Sequence, residues 1–404
     1  MSSDIPLPST PSYHDVSRRS SNMSTISSSS RSISRVDQIL SKSQSTSIKA
    51  AIVIEFGNAL TKVGMAGEFA PRRVIRSEVI MSNEIEPTPV FNNEYSDERQ
   101  KDLLLAFMKK IAFNILILPF KDRNVVIVLR VLGNERLQNI LMDILKKNTC
   151  FLVQEIKFIS SQIAASIASY CTEVGLVVDV GCEFSSIFPV IFNSVVVHEG
   201  ETSMSCSKSL ELNVRNLLLK YCSVRMHETQ EIKKVDEEIL SILDKTRTYE
   251  NICNKYLFVT TLERSRKLEN FDSLTPQPKD VEMIYKDFTL IVTGRVREVA
   301  AEILFTTAMD SLSIPEAILD CIHNCPIDYR RELFGKLIVV GGVTEMPGFL
   351  GRLRAELIDA ISCPEYKSLG GLETPKFIRY PTSNLSTGLI LNWIGGSLYA
   401  NSSF

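Results

Sequence analysis

A strand-and-turn pattern occurs twice in this chain of 404 residues and constrains its fold more than any other feature. The copy near position 50 reads AIVIEFGNALTKVGMAG, and the copy near position 176 reads GLVVDVGCEFSSIFPVI. In each copy an apolar run leads to a carboxylate (Glu55, Asp179), and a glycine two residues later (Gly57, Gly181) precedes a second apolar run. The pattern predicts two β-hairpins with related turns.

The turns of these hairpins are suited to a phosphate chain. Gly57 and Asn58 form a good tight-turn pair because both residues tolerate positive φ. Two such turns that face each other can hold phosphate between their backbone amides. Glu55 and Asp179 would then lie at strand ends, where they can hold a metal ion through water. Taken alone, the pattern also fits two ordinary hairpins with no ligand.

A third segment adds a glycine turn. Residues 337–348 read LIVVGGVTEMPG, which is a buried-strand pattern followed by Gly341 and Gly342, with Pro347 opening a helix. Two glycines at that point let the backbone approach a flat ligand closely. By itself this signal is weak, because turns between strands and helices commonly contain glycine. The repeated hairpins, by contrast, predict a duplicated α/β domain around a central cleft.

Together and in this order, the segments resemble the actin-related proteins of the actin family. The resemblance covers residues 49–404 and implies the actin/Hsp70/hexokinase fold, an α/β fold with two lobes around a nucleotide cleft. Its most specific parts are the first hairpin through GMAGEFAPR (51–72), the helix linking the lobes (NERLQNILMDIL, 134–145), the adenosine-side segment (CPIDYRREL to the end of RLRAEL, 325–357) and the second inter-lobe connection (NWIGGSLYA, 392–400).

Composition and the resemblance divide the chain into four parts. Residues 1–48 are rich in serine, with scattered apolar residues, and are predicted to form a disordered tail. Residues 49–174 are predicted to form lobe 1, with a pointed-face subdomain at 77–120 that is shorter than in actin. Residues 175–385 are predicted to form lobe 2, and residues 386–404 to return to lobe 1.

The resemblance implies a nucleotide site. ATP or ADP with Mg²⁺ would be held, without being hydrolysed, by Glu55, Gly57, Asn58, Lys62, Asp179, Gly181, Gly341 and Gly342. Lys62 would reach the β-phosphate. Glu55 and Asp179 would face Mg²⁺ through water, so no direct protein ligand of the metal is expected. A nucleotide bound in this way would brace the two lobes by linkage.

The part of the cleft that the family uses for hydrolysis is altered. Cys182 replaces a carboxylate, and Glu183 places a side chain where the family's backbone cradles phosphate. Ser186 matches the family histidine that orients the attacking water, and Asn139 matches the glutamine of the linking helix. Hydrolysis needs a water held in line with the γ-phosphate. The sequence therefore predicts little or no ATPase activity and no catalytic residue.

Two segments relate the chain to one branch of the family. The combination of CPIDYRREL with VVGG-x-x-x-MPGFL is most similar to actin-related subunits at the pointed end of the dynactin filament. This implies a structural pointed-end cap whose partners are the filament-forming actin-related protein and other pointed-end subunits, with cytoplasmic dynein as an indirect partner. The short stretch between Ser77 and Val125 agrees with a chain terminator, because a polymer subunit needs two complementary faces.

Two other functions remain alternatives. A nuclear scaffold of a chromatin-remodelling complex would also keep the fold without hydrolysis, although the chain lacks the basic cluster of a nuclear signal. An ATPase or sugar kinase on the same fold is disfavoured by the altered turns.

Bulk properties exclude several classes of protein. The formal net charge of −2 argues against a general nucleic-acid binder. The longest apolar stretches, such as 111–118, are too short to span a bilayer. Nine cysteines without metal-type spacing predict reduced thiols. With no apolar core of a signal peptide, these features predict a cytoplasmic protein, and the resemblance adds association with the cytoskeleton and centrosome.

Overall fold

Two hairpins, each flanked by a parallel strand, organise the molecule. The computed structural model describes residues 49–82, 84–131, 135–268, 276–308, 311–372, 374–378 and 387–404. The predicted tail at 1–48 lies outside the described residues, as does the predicted boundary at 385/386.

The described residues form short strands and mostly short helices. The strands are β1 (Ile52–Glu55), β2 (Leu60–Met65), β3 (Arg73–Arg76), β4 (Glu78–Val79), β5 (Thr88–Pro89), β6 (Val125–Leu129), β7 (Ile156–Ser160), β8 (Val174–Val180), β9 (Ser185–Ile191), β10 (Ser194–Val195), β11 (Glu201–Ser203), β12 (Ser223–Met226), β13 (Ile232–Lys234), β14 (Val281–Ile284), β15 (Phe288–Val292) and β16 (Leu337–Val340). The α-helices are α1 (Asp97–Lys109), α2 (Glu135–Lys147), α3 (Ser161–Ala168), α4 (Ser207–Tyr221), α5 (Glu237–Lys245), α6 (Thr248–Lys255), α7 (Leu262–Leu268), α8 (Gly294–Val299), α9 (Ile314–Asn324), α10 (Ile327–Gly335), α11 (Phe349–Ile361) and α12 (Thr387–Ser403).

The two main sheets repeat one arrangement. The first sheet has the order β3–β2–β1–β6–β7, in which β1 and β2 are antiparallel, Glu55 lies opposite Lys62, and β6 runs parallel to β1. The second has the order β10–β9–β8–β16, in which β8 and β9 are antiparallel, Asp179 lies opposite Ser186, and β16 runs parallel to β8. The repeated sequence pattern thus corresponds to a repeated hairpin with a parallel neighbour.

Each sheet has its own hydrophobic core. The core of the first lobe draws its buried residues from the stretch between Ile52 and Val153, and that of the second lobe from Val174 to Leu369. A further antiparallel sheet, in the order β13–β12–β15–β14, belongs to the second lobe because Val224 and Leu290 are buried in its core. The chain therefore folds as two lobes, each with a separate interior.

A third core lies between the two sheets and contains α3 and α12. The indole Nε1 of Trp393, on α12, donates a hydrogen bond to the carbonyl of Val53 on β1 at 3.1 Å. The two helices approach closely because Gly395 has no side chain, since a Cβ there would lie 1.8 Å from the carbonyl oxygen of Ala164. Buried residues of both sheets complete this core. The helices α3 and α12 therefore connect the lobes.

The prediction that residues 134–145 form the helix between the lobes is wrong. Residues 135–145 lie in α2, which buries Leu141, Ile144 and Leu145 in the core of the first lobe and exposes its other side. An amphipathic helix of this kind covers one core. A helix between two sheets needs small or apolar residues around most of its circumference, and α3, with the sequence SQIAASIA, has them. The segment 392–400 lies in α12.

Residues 77–120 form a small region at the edge of the first lobe. β4 and β5 pair as an antiparallel ladder of two residues each. The helix α1 begins after Ser96, whose side chain accepts a hydrogen bond from the backbone amide of Arg99, and it continues into a π-helical segment at Lys110–Ile115. Apolar residues of α1, among them Leu103 and Phe107, are fully buried in the core of the first lobe.

Candidate functional site

The first turn is held by buried polar contacts. Lys62 Nζ lies 2.5 Å from Glu55 Oε1, and both side chains are less than a tenth exposed. The hydroxyl of Ser77 donates to the carbonyl of Gly57 at 2.5 Å and lies 2.8 Å from the hydroxyl of Thr61. The register of β1 against β2 causes the ion pair, because it places Glu55 and Lys62 directly opposite each other.

The second turn is tied to the start of α4. The amides of Ser207 and Lys208 donate to the carbonyls of Gly181 and Cys182 at 3.0 and 2.9 Å. These amides belong to the first turn of a helix, where backbone donors otherwise lack partners. The second turn therefore has a fixed position on the second lobe.

The two turns contact each other directly. The side-chain amide of Asn58, in the first turn, donates a hydrogen bond to Glu183 Oε2, in the second turn, at 2.5 Å. The side chain of Glu183 therefore reaches from the second lobe to the first. The structure thus brings the two predicted turns together, and a protein side chain bridges them.

The charge on Glu55 is governed by burial. Desolvation raises the pKa of Glu55 above its ordinary 4.5, Lys62 acts in the opposite direction, and the carboxylate of Asp179 raises it further. Glu55 Oε2 has no hydrogen-bond partner among the described residues. The predicted pair of carboxylates, Glu55 and Asp179, is therefore close enough to interact across the cleft, and Lys62 is already used by one of them.

Cys182 does not supply the negative charge of the carboxylate that the family has at this position. Burial raises the pKa of the Cys182 thiol to about 11, and the nearby carboxylates of Glu211 and Glu183 act in the same direction. The thiol is therefore neutral at physiological pH. A neutral thiol supplies no charge to hold a hydrated cation.

Arg130 is a site residue that the sequence reasoning missed. It follows β6 directly, its guanidinium lies 4.7 Å from the centroid of the Phe184 ring, and a Cβ on Gly181 would lie 1.7 Å from its Nη2. Its Nη1 is buried without a hydrogen-bond partner among the described residues. The signal was present in the sequence, because β6 is a buried run ending in arginine and parallel strands end at the same sheet edge. What the sequence did not reveal is that β6 is the neighbour of β1.

A buried glutamine lies beside Ser186. Gln162, on α3, donates through Nε2 to the hydroxyl of Ser186 at 3.3 Å, and both side chains are buried. Asn139, which the sequence comparison matched to the glutamine of the linking helix, is exposed on α2. That match is therefore wrong, because the linking helix is α3 and it carries its own glutamine. The match of Ser186 to the family histidine that orients the attacking water, by contrast, stays a prediction.

The turn at Gly341 and Gly342, which follows β16, lies next to the end of β8, just before the second hairpin turn. Val340 lies opposite Asp179 in the parallel pairing of β16 with β8, so Gly341 follows at the same sheet edge. Gly341 has φ 115°, and a Cβ there would lie 2.1 Å from the carbonyl oxygen of Val180. Its amide donates to the carbonyl of Gly388, at the start of α12, at 2.8 Å. All eight predicted residues thus lie in or next to the hairpin turns and the β16 turn.

A cavity of about 300 Å³ opens beside the two turns, on the side of the first lobe. Aromatic and aliphatic side chains make up part of its wall, and polar side chains make up the rest; they include Phe56, Asn58, Phe91, Arg130, Glu183 and Phe184. The Asn58–Glu183 bridge therefore forms part of one wall of the cavity.

Comparison with known proteins identifies the class. A sequence model described as Actin matches residues 134–404, and the chain belongs to the actin family. The duplicated two-lobed α/β fold that the sequence predicted is confirmed.

Several curated relatives are actin-related or actin-like proteins. Actin-related protein 10 of Dictyostelium discoideum is 21% identical over 87% of this chain and 83% of its own length. Actin-related protein 6 of Drosophila melanogaster is 22% identical over 76% of this chain and 85% of its own length. Actin-like protein 7A of Rattus norvegicus is 26% identical over 60% of this chain and 48% of its own length. The predicted resemblance to actin-related proteins is confirmed.

The actin family generally binds a nucleotide with Mg²⁺, but the phosphate end of such a ligand does not fit the described arrangement. Three carboxylates lie at the turns (Glu55, Asp179, Glu183). The cations there are Lys62, paired with Glu55, and Arg130, which packs on the Phe184 ring and has one buried nitrogen without a hydrogen-bond partner among the described residues. A polyphosphate would have to break the Asn58–Glu183 bridge and compete with Glu55 for Lys62. The described residues contain no group of three or more His, Cys, Asp or Glu side chains arranged to hold a metal ion.

One further property concerns membranes. Among the helices of the described residues, none combines the length and the apolar character needed to cross a bilayer.

Proposed function

We propose that this chain is a structural actin-related subunit that caps the pointed end of the dynactin filament and supports dynein-driven transport along microtubules. The observation that carries the proposal is the bridge between the hairpin turns, in which Asn58 donates a hydrogen bond to Glu183. We infer that this bridge takes the space that phosphate would fill in a working site. An actin fold closed in this way serves as a rigid building block. The similarity to actin-related protein 10 of Dictyostelium discoideum supports the same branch of the family.

The proposal includes little or no ATPase activity. A general base needs a pKa near the working pH, and the serine hydroxyl of Ser186, which stands at the family's histidine position, is a poor base. Gln162 is present on the linking helix, but it donates to Ser186. Its Oε1 accepts from the hydroxyl of Ser161, and neither an amide oxygen nor a hydroxyl is basic enough to take a proton from water.

We further propose that the nucleotide site is degenerate. The eight residues Glu55, Gly57, Asn58, Lys62, Asp179, Gly181, Gly341 and Gly342 would be its remains, and ATP or ADP with Mg²⁺ has no catalytic role there. The proposed division is residues 49–174, 175–385 and 386–404. The two separate cores support it, and α3 and α12 lie between the lobes.

The proposed partners are the filament-forming actin-related protein and the other pointed-end subunits of dynactin, with dynein as an indirect partner. The proposed location is the cytoplasm, in association with the cytoskeleton and the centrosome.

Affinity purification tests this proposal. The full chain is tagged, recovered from lysate of its own cells, and its partners are identified and quantified by mass spectrometry. Recovery of the filament-forming actin-related protein with dynactin and dynein subunits in a fixed ratio is expected. Recovery of chromatin-remodelling subunits, or of no stable complex, would contradict it. Phosphate release from MgATP, measured on the same preparation, should stay at background.

A further inference from the structure

Two salt bridges, Arg76–Glu250 and Arg247–Glu78, join the two lobes. We call the region around these four residues the cleft mouth. We infer that the chain's own side chains hold the two lobes closed, so that closure needs no bound nucleotide. We call the Asn58–Glu183 bridge between the turns the inner contact, and the Arg76–Glu250 and Arg247–Glu78 pairs the outer contacts. The inference concerns the chain itself and does not depend on its proposed partners.

The outer contacts link the strands β3 and β4 to the helix α6. Nη2 of Arg76 lies between the two carboxylate oxygens of Glu250, at 2.8 and 2.6 Å. Nη2 of Arg247 lies in the same way between the oxygens of Glu78, at 2.9 and 2.7 Å. Arg76 and Glu78 belong to the first lobe, and Arg247 and Glu250 belong to the second. Both pairs therefore cross the gap between the lobes.

The order of charges makes this contact specific. The first lobe presents a cation and then an anion (Arg76, Glu78), and the second lobe presents the complementary anion and cation (Glu250, Arg247). A shift that placed Arg76 next to Arg247 would also place Glu78 next to Glu250. Such like-charge contacts are unfavourable. The four side chains therefore select one relative position of the lobes.

Ser77 connects the outer contacts to the inner one. It lies between Arg76 and Glu78 in sequence, is buried, and donates to the carbonyl of Gly57 in the first turn at 2.5 Å. The next residue of that turn is Asn58, which bridges to Glu183. A displacement of Arg76 or Glu78 is thus transmitted to the first turn through Ser77 and its hydrogen bond to Gly57. The two levels of contact act on the same closed state.

Each outer ion pair stabilises the closed state only weakly by itself, so the contacts act together. The arginines of the two outer pairs are each 39% exposed and their glutamates 28% and 24% exposed, so solvent screens each pair in part. An exposed pair of this kind changes an equilibrium by up to about fivefold. The two ion pairs and the Asn58–Glu183 hydrogen bond favour the same closed state, so their effects on its equilibrium multiply without a bound ligand.

Nucleotide dependence is the first test. The full chain is purified, its nucleotide content is measured after denaturation, and its thermal unfolding midpoint is recorded in EDTA and in excess MgATP. Substoichiometric nucleotide and equal midpoints are expected. A ligand that binds only the folded state raises the midpoint, so stoichiometric nucleotide or a clear rise with MgATP would overturn the inference.

Charge reversal is the second test, with hydrogen exchange of the amides in β3, β4 and α6 as the readout. Arg76→Glu and Glu250→Arg should each speed hydrogen exchange in β3, β4 and α6 by about fivefold or more, because each removes the pair and adds like-charge repulsion. The double variant, with the two charges swapped, should restore the native exchange rate. The matched control is Arg72→Glu, because Arg72 pairs with Glu68 within the first lobe. If a reversal prevents folding, Arg76→Gln and Arg247→Gln replace it. Exchange that is unchanged in the single variants, or equal to that in the Arg72→Glu control, would overturn the inference.

Discussion

Glu55 shows how strongly the surroundings decide the chemistry of a cleft residue. Its carboxylate is buried, one oxygen is paired with Lys62, and the other has no hydrogen-bond partner among the described residues. A buried ion pair is stabilising only when its remaining polar atoms are satisfied. Here that condition is met in part, and the carboxylate of Asp179 adds repulsion. Glu55 should therefore be a source of pH dependence in the stability of the fold.

The direction of that dependence follows from the raised pKa. Because the pKa of Glu55 is above its ordinary 4.5 in the folded chain, the folded state binds the proton more tightly than the unfolded state. The contribution of Glu55 to stability is therefore largest below pH 4.5 and falls as the pH rises through the window above it. Glu55→Gln cannot titrate, so the stability of the variant relative to the native chain should rise with pH over this window.

Urea unfolding between pH 4.5 and about 7 checks this prediction. The exposed Glu94→Gln serves as the control and should follow the pH profile of the native chain. Parallel profiles for Glu55→Gln and the native chain would show that the buried carboxylate has an ordinary pKa.

Gly341 is required by backbone geometry. Its φ of 115° is rarely adopted by residues with a side chain, and a Cβ would lie 2.1 Å from the carbonyl oxygen of Val180. Since that neighbour is backbone, it cannot move aside easily. Gly341→Ala should lower the free energy of unfolding by at least about 2 kcal/mol.

Gly351 provides the matched control for Gly341, because it lies in α11, a short distance further along the chain, and has open space around it. Gly351→Ala should raise the free energy of unfolding by about 0.5–1 kcal/mol, since alanine is favoured over glycine in a helix. Denaturant unfolding measures both. A neutral effect of Gly341→Ala would mean that the turn does not hold the conformation described.

At the scale of elements, α2 and α3 show why the linking helix was misassigned. Both helices carry apolar residues at helical spacing. What separates them is the partner each one packs against, which spacing does not reveal. The helix α2 covers one core with Leu141 and Ile144, whereas α3 contributes Ala164 and Ala165 to the core between the sheets. The small residues of α3 were the available signal.

The corrected assignment leads to a direct comparison of two side chains. Gln162 is fully buried and bonded to the hydroxyls of Ser161 and Ser186, at 3.1 and 3.3 Å. Gln162→Ala should lower the free energy of unfolding by about 1–3 kcal/mol, because it leaves those hydroxyls without a partner. Asn139→Ala, at an exposed position of α2, should change it by less than about 0.5 kcal/mol. Thermal or urea unfolding measures the change in the free energy of unfolding for each of the two variants. Equal effects would argue against α3 as the buried linking helix.

The sequence predicted what is local and missed what is distant. The hairpins, their carboxylates and the glycine turn were found because each depends on a few consecutive residues. The position of Arg130 was missed because β6 lies about 70 residues after β1, and no local pattern states which strands are neighbours. The Arg76–Glu250 and Glu78–Arg247 pairs join residues 174 and 169 positions apart. Such contacts are set by the packing of lobes, which strand and helix patterns do not specify.

At the scale of the whole molecule, two ways of joining the lobes compete. In one, a nucleotide lies between the turns and binds to both lobes. In the other, side chains of the two lobes bind to each other, as Asn58 and Glu183 do. We propose that the two arrangements compete for the same space between the turns. Negative charge at the turns favours the side-chain bridge over nucleotide binding, because a polyphosphate is itself strongly negative.

Replacement of Glu183 should therefore recover part of the affinity for nucleotide. Two unit charges 8 Å apart repel by about 2 kcal/mol at an effective dielectric constant near 20, so removing one carboxylate should strengthen MgATP binding by at least about tenfold. Glu183→Gln removes the charge and keeps a hydrogen-bond acceptor for Asn58, whereas Glu183→Gly also clears the space.

Titration calorimetry with MgATP should rank the affinities in the order Glu183→Gly, Glu183→Gln and native chain, from tightest to weakest. Hydrolysis should remain at background in all three, because Ser186 is unchanged. Native affinity equal to that of both variants would mean that Glu183 does not oppose the phosphate chain. In that event the Asn58–Glu183 contact would have to open readily, and the outer salt bridges alone would remain to hold the lobes together.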